Sequence, residues 1–232
     1  MKISVVMPVY NEEVYLEAIY RKVIDQPLWE KMELEIIMVD DYSRDSTPQV
    51  IERLAKNDPR IKTARHEVNQ GKGAAVRTGF SLISGDVAIV QDADLEYDPR
   101  EYPALLEPIL KGDADVVYGS RFMGGHPHRV LFFWHMVANK LLTLMFNMAS
   151  NMNFTDMETC FKVLKTDVVR RIRLQENRFG FDPEITAKVT RLNVPIYEVG
   201  ISYHGRTYEE GKKIGIKDAF RAVYCIVRYN FF

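Results

Sequence analysis

At 232 residues, with 47% hydrophobic side chains, the chain has the length of one large domain or two small ones and the apolar content of a packed core, which excludes a disordered segment. Its 31 Lys and Arg face 32 Asp and Glu, a formal net charge of −1, so no overall basic character favours nucleic acid and any anion site must be local. Cys160 and Cys225 lie far apart without metal-ligand spacing, and Met1 leads directly into an apolar run rather than a secretory leader, which predicts a reduced, cytosolic protein.

Lys2 to Pro8 (KISVVMP) reads as a buried strand, after which Leu16, Ile19, Tyr20 and Val23 share one helical face. Leu34 to Val39 is the next strand, ending in Asp40-Asp41, and a helix follows from Pro48 with Ser46 or Thr47 as its N-cap. Ile61 to Arg65 is a third strand, Lys72 to Ile83 a helix, and Val87 to Val90 a fourth strand running into Gln91-Asp92-Ala93-Asp94. From Gly119 the alternation weakens. A Gly-, Pro- and His-rich loop spans Arg121 to Arg129, and a nearly all-round apolar helix spans Val130 to Ser150. Then come a strand at Cys160 to Leu164, a helix from Pro183 to Leu192, a strand from Ile196 to Tyr203 and a last helix from Ile216. The low-charge stretch Val130 to Thr155 is interrupted by His135, Asn139, Lys140 and Asn147, so it predicts no membrane span but is compatible with a helix lying at a membrane surface.

Strands alternating with helices predict an α/β fold with a mostly parallel sheet flanked by helices, whose ligands bind beyond the carboxyl ends of the strands. Acidic and polar clusters fall at such ends: Asn11-Glu12, Asp40-Asp41 and Asp92 with Asp94. Taken alone, a D-x-D turn more often caps a helix or solvates a loop. After a buried strand of a βαβ unit, Asp92 and Asp94, with Glu96 close behind, instead suit Mg2+ or Mn2+, which take one or two carboxylates and complete their shell with water and phosphate oxygens. A nucleoside diphosphate is the natural partner. The run NQGKG, Asn69 to Gly73, lacks the spacing of a phosphate-binding P-loop, so its glycines are read as a turn before a helix, with Lys72 facing solvent or a diphosphate.

Four ordered motifs, VMPVYNE (Val6–Glu12), VDDYSRDST (Val39–Thr47), NQGKG and QDAD, resemble those of the family 2 glycosyltransferases of the GT-A fold. The resemblance implies that Pro8, Tyr10 and Glu12 line the nucleotide base, that Asp40 lies near base or ribose, and that Asp92 and Asp94 bind the metal. Asp41 is expected to order the turn that follows it. In the second half GSRF (Gly119–Phe122), TDMETCFK (Thr155–Lys162), GFDPE (Gly180–Glu184) and YHGRTYEEGKK (Tyr203–Lys213) resemble the branch that includes dolichyl-phosphate mannosyltransferases and bacterial polyprenyl-phosphate glycosyltransferases. The resemblance covers nearly the whole chain and implies a single GT-A domain, with residues 1–118 holding the nucleotide sugar and 119–232 the acceptor.

A phosphate acceptor changes the chemical demand. A phosphate monoester is largely dianionic near neutral pH, with a second pKa of about 6, so cationic positioning matters more than a base. Arg121 and Arg206 are the leading candidates for acceptor phosphate and catalysis, joined by Arg129 and Lys212, which are equally readable as solvated or membrane-facing charges. Asp156 and Glu158 fall where hydroxyl-acceptor relatives keep a base; here they are a base, an acceptor-orienting pair or a contact to an arginine, with positioning favoured for Asp156. His204 is a loop histidine or a metal ligand. The expected activity is inverting, metal-dependent transfer from a UDP- or GDP-sugar to a polyprenyl phosphate. The alternatives are transfer to a sugar hydroxyl in polysaccharide or lipopolysaccharide synthesis and a non-catalytic nucleotide-sugar-binding subunit. In that branch many bacterial members continue into two transmembrane helices; here peripheral attachment to the cytoplasmic face is expected, through the amphipathic helices or an anchoring partner protein.

Overall fold

The alternation of the first half builds four parallel strands. In a computed structural model describing residues 1–125, 127–130, 132–207 and 216–232, β1 (Lys2–Val9), β2 (Glu33–Asp40), β3 (Ile61–Arg65) and β4 (Val87–Val90) are joined through α1 (Leu16–Ile24), α2 (Thr47–Asn57) and α3 (Lys72–Leu82). Lys212 lies outside the described residues. The sheet is covered on both faces, which is why β1 and β2 read as continuous apolar runs. Ile3, Val5 and Met7 face the cluster that contains Leu16, Ile19, Tyr20 and Val23 of α1. Val6 turns the other way with Ile37, Val39 and Ala75. Each such fully buried branched side chain contributes about 2 kcal/mol.

Three elements went unannounced by periodicity: a helix, the strand after it and a short helix at Thr166–Arg171. The helix α4 (Tyr102–Lys111) carries Pro103 in its first turn and Pro108 inside, a composition that argues against a helix. It forms because Tyr102, Leu105, Leu106 and Ile109 fall on one face and are buried, and it ends where Gly112 adopts a left-handed φ of 83°. It delivers the chain into β5 (Val116–Ser120), a fully buried strand. Next come α5 (Phe133–Ser150), β6 (Lys162–Lys165), α6 (Thr166–Arg171), α7 (Phe181–Thr190), β7 (Ile196–Gly200) and α8 (Ile216–Phe231).

The seven strands follow the order β3-β2-β1-β4-β6-β5-β7, with β6 inserted antiparallel between β4 and β5. The mostly parallel sheet of the α/β prediction is therefore present, with one reversed strand. The chain leaves β1 toward β2 on one side and later places β4 on the other, so the carboxyl ends of β1 and β4 flank the point where strand order reverses. Open α/β sheets bind ligands in that crevice. Pro8 is tolerated in β1 because β4 pairs only with Ile3 to Val6, leaving no ladder bond on that side for proline to lose.

The start of α2 falls within a residue of its expected place, but its bonding is different. Ser46 occupies the cap position but its side chain caps nothing, while Thr47 Oγ1 accepts the main-chain N–H of Glu12 at 2.9 Å. Asp45 Oδ1 takes over by accepting the Thr47 N–H at 3.0 Å.

Candidate functional site

The loops after β1 and β2 are fastened to each other. Asn11, in a left-handed conformation with φ 51°, donates its N–H to Ser43 Oγ at 2.9 Å, and its side-chain oxygen accepts the Arg44 N–H at 2.9 Å. Asp40 is buried; one of its oxygens accepts the Ser43 N–H at 2.9 Å and the other lies 3.0 Å from Arg65 Nε. Asp41 orders the NQG turn rather than its own: it accepts the N–H groups of Gln70 and Gly71 at 2.9 and 2.6 Å, Asn69 Nδ2 at 2.8 Å, and lies 2.7 Å from His66 Nδ1. Gly71 is required there. Its φ is +107°, and an added Cβ would stand 2.5 Å from the carbonyl oxygen of Asn177. Gly71→Ala is expected to destabilise the protein by about 2–3 kcal/mol, read as a lower denaturant midpoint at unchanged slope.

This turn aims Lys72 into the crevice. Its ammonium lies 2.8 Å from Asp92 Oδ1 and its side chain is largely buried, so it does not face solvent. Burial opposes both charges, but their mutual attraction prevails: Asp92 is held below the usual carboxylate range and Lys72 well above the usual lysine range. Two residues on, Asp94 is buried and accepts the Glu96 N–H at 3.0 Å. Burial, with the charges of Asp92 and Glu96, pushes its carboxyl up to about 7, against the pull of Arg206.

Arg206 arrives from the far end of the chain. Its Nη2 donates to Asp94 Oδ2 at 2.7 Å, its Nε to Glu96 at 3.3 Å and its Nη1 to Glu12 at 3.3 Å. Tyr203 Oη donates to the other Glu96 oxygen at 2.9 Å, and the Arg121 guanidinium lies 5.3 Å above the Tyr203 ring. Tyr203 thus stands between the two arginines, a role no sequence motif announced. Arg129 is exposed and donates from Nη1 to the Gly205 carbonyl at 3.1 Å, strapping its loop to the Arg206 segment. His204 is exposed and holds Glu96 O only through its main-chain N–H.

Deeper in the second half, Arg121 grips Asp156 with a two-pronged fork: Nε and Nη2 donate to its two oxygens at 2.6 and 2.7 Å, and the Arg121 main-chain N–H adds a third bond at 3.0 Å. Asp156 is fully buried. Lys162, also fully buried, pairs with Asp182 of the GFDPE motif. Glu158 lies within the field of both pairs. Burial and the Asp182 charge push its carboxyl up to about 8, and its buried Oε1 receives no hydrogen bond among the described residues. The Lys162–Asp182 pair was not foreseen; a charged residue inside the apolar strand run CFKVL was its one visible signal.

The donors gathered at the crevice are hard carboxylate oxygens, the chemistry that Mg2+ and Mn2+ prefer, and a cation would favour the charged form of Asp94, which burial first and then the Asp92 and Glu96 charges oppose. The residues fit a divalent ion to that extent. In this conformation, however, no three His, Cys, Asp or Glu side chains among the described residues are arranged to hold a metal. Asp92 is engaged by Lys72, and Asp94 and Glu96 by Arg206.

Beside the crevice, α5 and α8 pack on each other and leave apolar stripes exposed. Trp134, Leu141, Leu144 and Met148 form one, and Phe220, Tyr224, Val227 and Phe231 the other. No described helix is long and apolar enough to cross a membrane.

Known proteins resemble this chain. The dolichol-phosphate mannosyltransferase of Pyrococcus furiosus is 30% identical over 99% of this chain and 65% of its own length. The undecaprenyl-phosphate 4-deoxy-4-formamido-L-arabinose transferase of Proteus mirabilis is 28% identical over 91% of this chain and 62% of its own. The chain therefore spans a little under two thirds of these relatives. Among solved structures, glucosyl-3-phosphoglycerate synthase from Mycobacterium tuberculosis, in complex with Mn2+, UDP and phosphoglyceric acid, superposes with a TM-score of 0.76 at 18% identity, covering 99% of this chain and 78% of that one. That likeness establishes the GT-A fold. The sequence profile described as glycosyl transferase family 2 matches residues 4–173, from β1 through α6 and so across every loop that lines the crevice from the first half; the chain belongs to glycosyl transferase family 2.

Proposed function

We propose that the chain transfers a sugar from a UDP- or GDP-linked donor to the phosphate of a polyprenyl lipid, with inversion at the anomeric carbon. A phosphate oxygen of the acceptor forms the new bond to that carbon, the bond to the donor diphosphate breaks, and its electron pair leaves with the nucleoside diphosphate. In this reading residues 1–118 hold the donor, residues 119–232 the acceptor, and the whole is one GT-A domain. The names of the Pyrococcus and Proteus relatives support the lipid-phosphate acceptor, and the ligands of the mycobacterial structure support a nucleotide and a divalent ion.

The observation that carries the choice of acceptor is the Arg121–Asp156 fork. Both Asp156 oxygens are committed to the guanidinium, so the residue serves to aim Arg121 rather than to take a proton. A hydroxyl acceptor needs a base; a phosphate needs a held cation. Arg121 and Arg206 bind and orient acceptor or donor phosphate, with Arg129 and Lys212 as further contributors. Glu12 and Asp40 receive hydrogen bonds from ribose or base beside Pro8 and Tyr10. Asp92 and Asp94 would hold Mg2+ or Mn2+, with Glu96 at their side, and the chemistry so supplied is neutralisation of the leaving diphosphate.

The exposed stripes of α5 and α8, flanked by Lys140 and Arg228, lie against the cytoplasmic face of a membrane in this proposal, alone or with an anchoring partner protein. Replacing Trp134 and Phe220 together by Ser is expected to lower flotation with anionic vesicles by about tenfold while the rate on a short, water-soluble isoprenyl phosphate holds.

A screen of radiolabelled UDP- and GDP-sugars with polyprenyl phosphate, with and without Mn2+, tests the reaction. Asp156→Asn is expected to cost only a few-fold, mainly in acceptor KM, with donor binding intact; loss of all turnover would make Asp156 a base. One observation favours transfer to a sugar hydroxyl instead: Glu158 has an unsatisfied oxygen and a carboxyl near 8. As a base it must be ionised, so that reading requires a rate that climbs as pH rises through about 8 and loses that climb in Glu158→Gln. Tight donor binding without transfer to any acceptor would leave a nucleotide-sugar-binding subunit.

A further inference from the structure

Arg206 sits where a metal-binding crevice has least use for an arginine. Its side chain is only 15% exposed and is shared among three carboxylates, those of Glu12, Asp94 and Glu96. Lys72 meanwhile covers Asp92. Four acids thus surround two cations in one cleft, an excess of negative charge that a single guanidinium leaves uncompensated. Asp94 carries the sharpest conflict. Its Oδ1 accepts the Glu96 N–H at 3.0 Å, and its Oδ2 is engaged by Arg206 Nη2 at 2.7 Å. A divalent ion of this class needs a carboxylate oxygen at about 2.0–2.2 Å, and it would have to share Asp94 with a like charge already in contact.

The segment that carries Arg206 is anchored on its amino-terminal side. His204 N–H donates to Glu96 O at 3.0 Å, Arg206 N–H donates to Glu96 Oε1 at 2.9 Å, and Arg129 holds the Gly205 carbonyl at 3.1 Å. The backbone is therefore tied while the long side chain beyond it is free to change partners by rotation about its own bonds.

We infer that Arg206 is the resident cation of the metal-free crevice, that a divalent ion and the Arg206 guanidinium compete for Asp94, and that metal binding turns this guanidinium out toward the phosphate groups of the substrates. The inference rests on the reading of Asp94 as a metal ligand. It gives one side chain two alternating partners and makes its delivery to phosphate conditional on the metal being in place. By linkage, whatever strengthens the hold on Arg206 weakens metal binding by the same factor.

Titration of the full chain with Mn2+ alone, following the free hydrated ion by electron paramagnetic resonance, tests the competition. Arg206→Gln is expected to bind Mn2+ about tenfold tighter than wild type, and Arg206→Lys, which keeps the charge, to stay near wild type. Equal or weaker binding in Arg206→Gln overturns the inference. A second measurement uses the unmutated chain and does not depend on a variant folding: labelling of Arg206 by phenylglyoxal, read by peptide mass spectrometry, is expected to rise when Mn2+ is added. Unchanged or reduced labelling also overturns it. If none of the three proteins binds Mn2+, with or without UDP or GDP, the metal assignment itself falls and the inference with it. If all three bind it equally, the metal assignment stands and the inference alone fails.

Discussion

Asp94→Ala is expected to lower kcat/KM for sugar transfer at saturating Mn2+ by on the order of 10²–10³, with the thermal transition of the metal-free chain changed little. The two halves of this expectation have separate causes. Asp94 is buried beside Asp92 and Glu96, so in the resting fold its charge is opposed by its surroundings, as its raised carboxyl shows. Removing it relieves that repulsion, and Arg206 keeps Glu12 and Glu96 as partners. The rate suffers because, in the proposed reaction, the same oxygens at the carboxyl end of β4, beside the strand-order switch, serve to neutralise the diphosphate leaving group. Transition-state charge left uncompensated in a site shielded from water is costly in a way that ground-state charge already compensated by neighbours is not. Steady-state kinetics paired with a melting curve reads both halves. Full activity in Asp94→Ala would remove this residue from the metal site.

Lys162→Met is expected to destabilise the protein by about 3–5 kcal/mol, the largest single loss of stability anticipated outside the apolar core. Lys162 lies on β6 with no exposed surface, bonded to Asp182 and the Thr159 carbonyl, its ammonium 5.1 Å from the centre of the Tyr118 ring. Without the ammonium, Asp182 is left as a buried, uncompensated charge in the field of Glu158. The penalty comes from that stranded charge rather than from lost attraction, so Lys162→Met combined with Asp182→Leu should recover most of the loss. Equilibrium denaturation of the two single variants and the double variant measures it. A single-variant cost below about 1 kcal/mol, or a double variant no better than the singles, would show that the pair does not hold the second half of the sheet to α7.

Much of the fold was legible because it is written in short-range patterns. The spacing of Leu16, Ile19, Tyr20 and Val23 named the buried face of α1 residue by residue, and the β-branched runs named β1 to β4 nearly to their ends. The parallel-sheet rule then placed Glu12, Asp92 and Asp94 at one crevice. Where competing local signals existed the reading failed. Pro103 and Pro108 concealed α4, whose formation depends on burial against the sheet, and β5 was lost with it. The cap position of α2 falls on Ser46, one of the two residues expected there, but no side-chain cap bond forms, and the Thr47 hydroxyl is engaged by Glu12, a partner from a different loop.

The site divides in the same way. The sequence by itself determined which residue types stand at the strand ends, an acidic group after β1, β2 and β4 and a separate set of arginines in the second half, since hydrophobic period and turn chemistry act over a few residues. Only the tertiary structure decided which charge meets which. Arg206 reaches Asp94 across 112 residues of chain, Arg121 reaches Asp156 across 35, and Asp41 ties down a turn 28 to 30 residues away. Coulomb attraction and hydrogen-bond geometry depend on distance in space and on burial, which no spacing along the chain encodes. They set Asp156 in the grip of Arg121, and Arg206 among Glu12, Asp94 and Glu96.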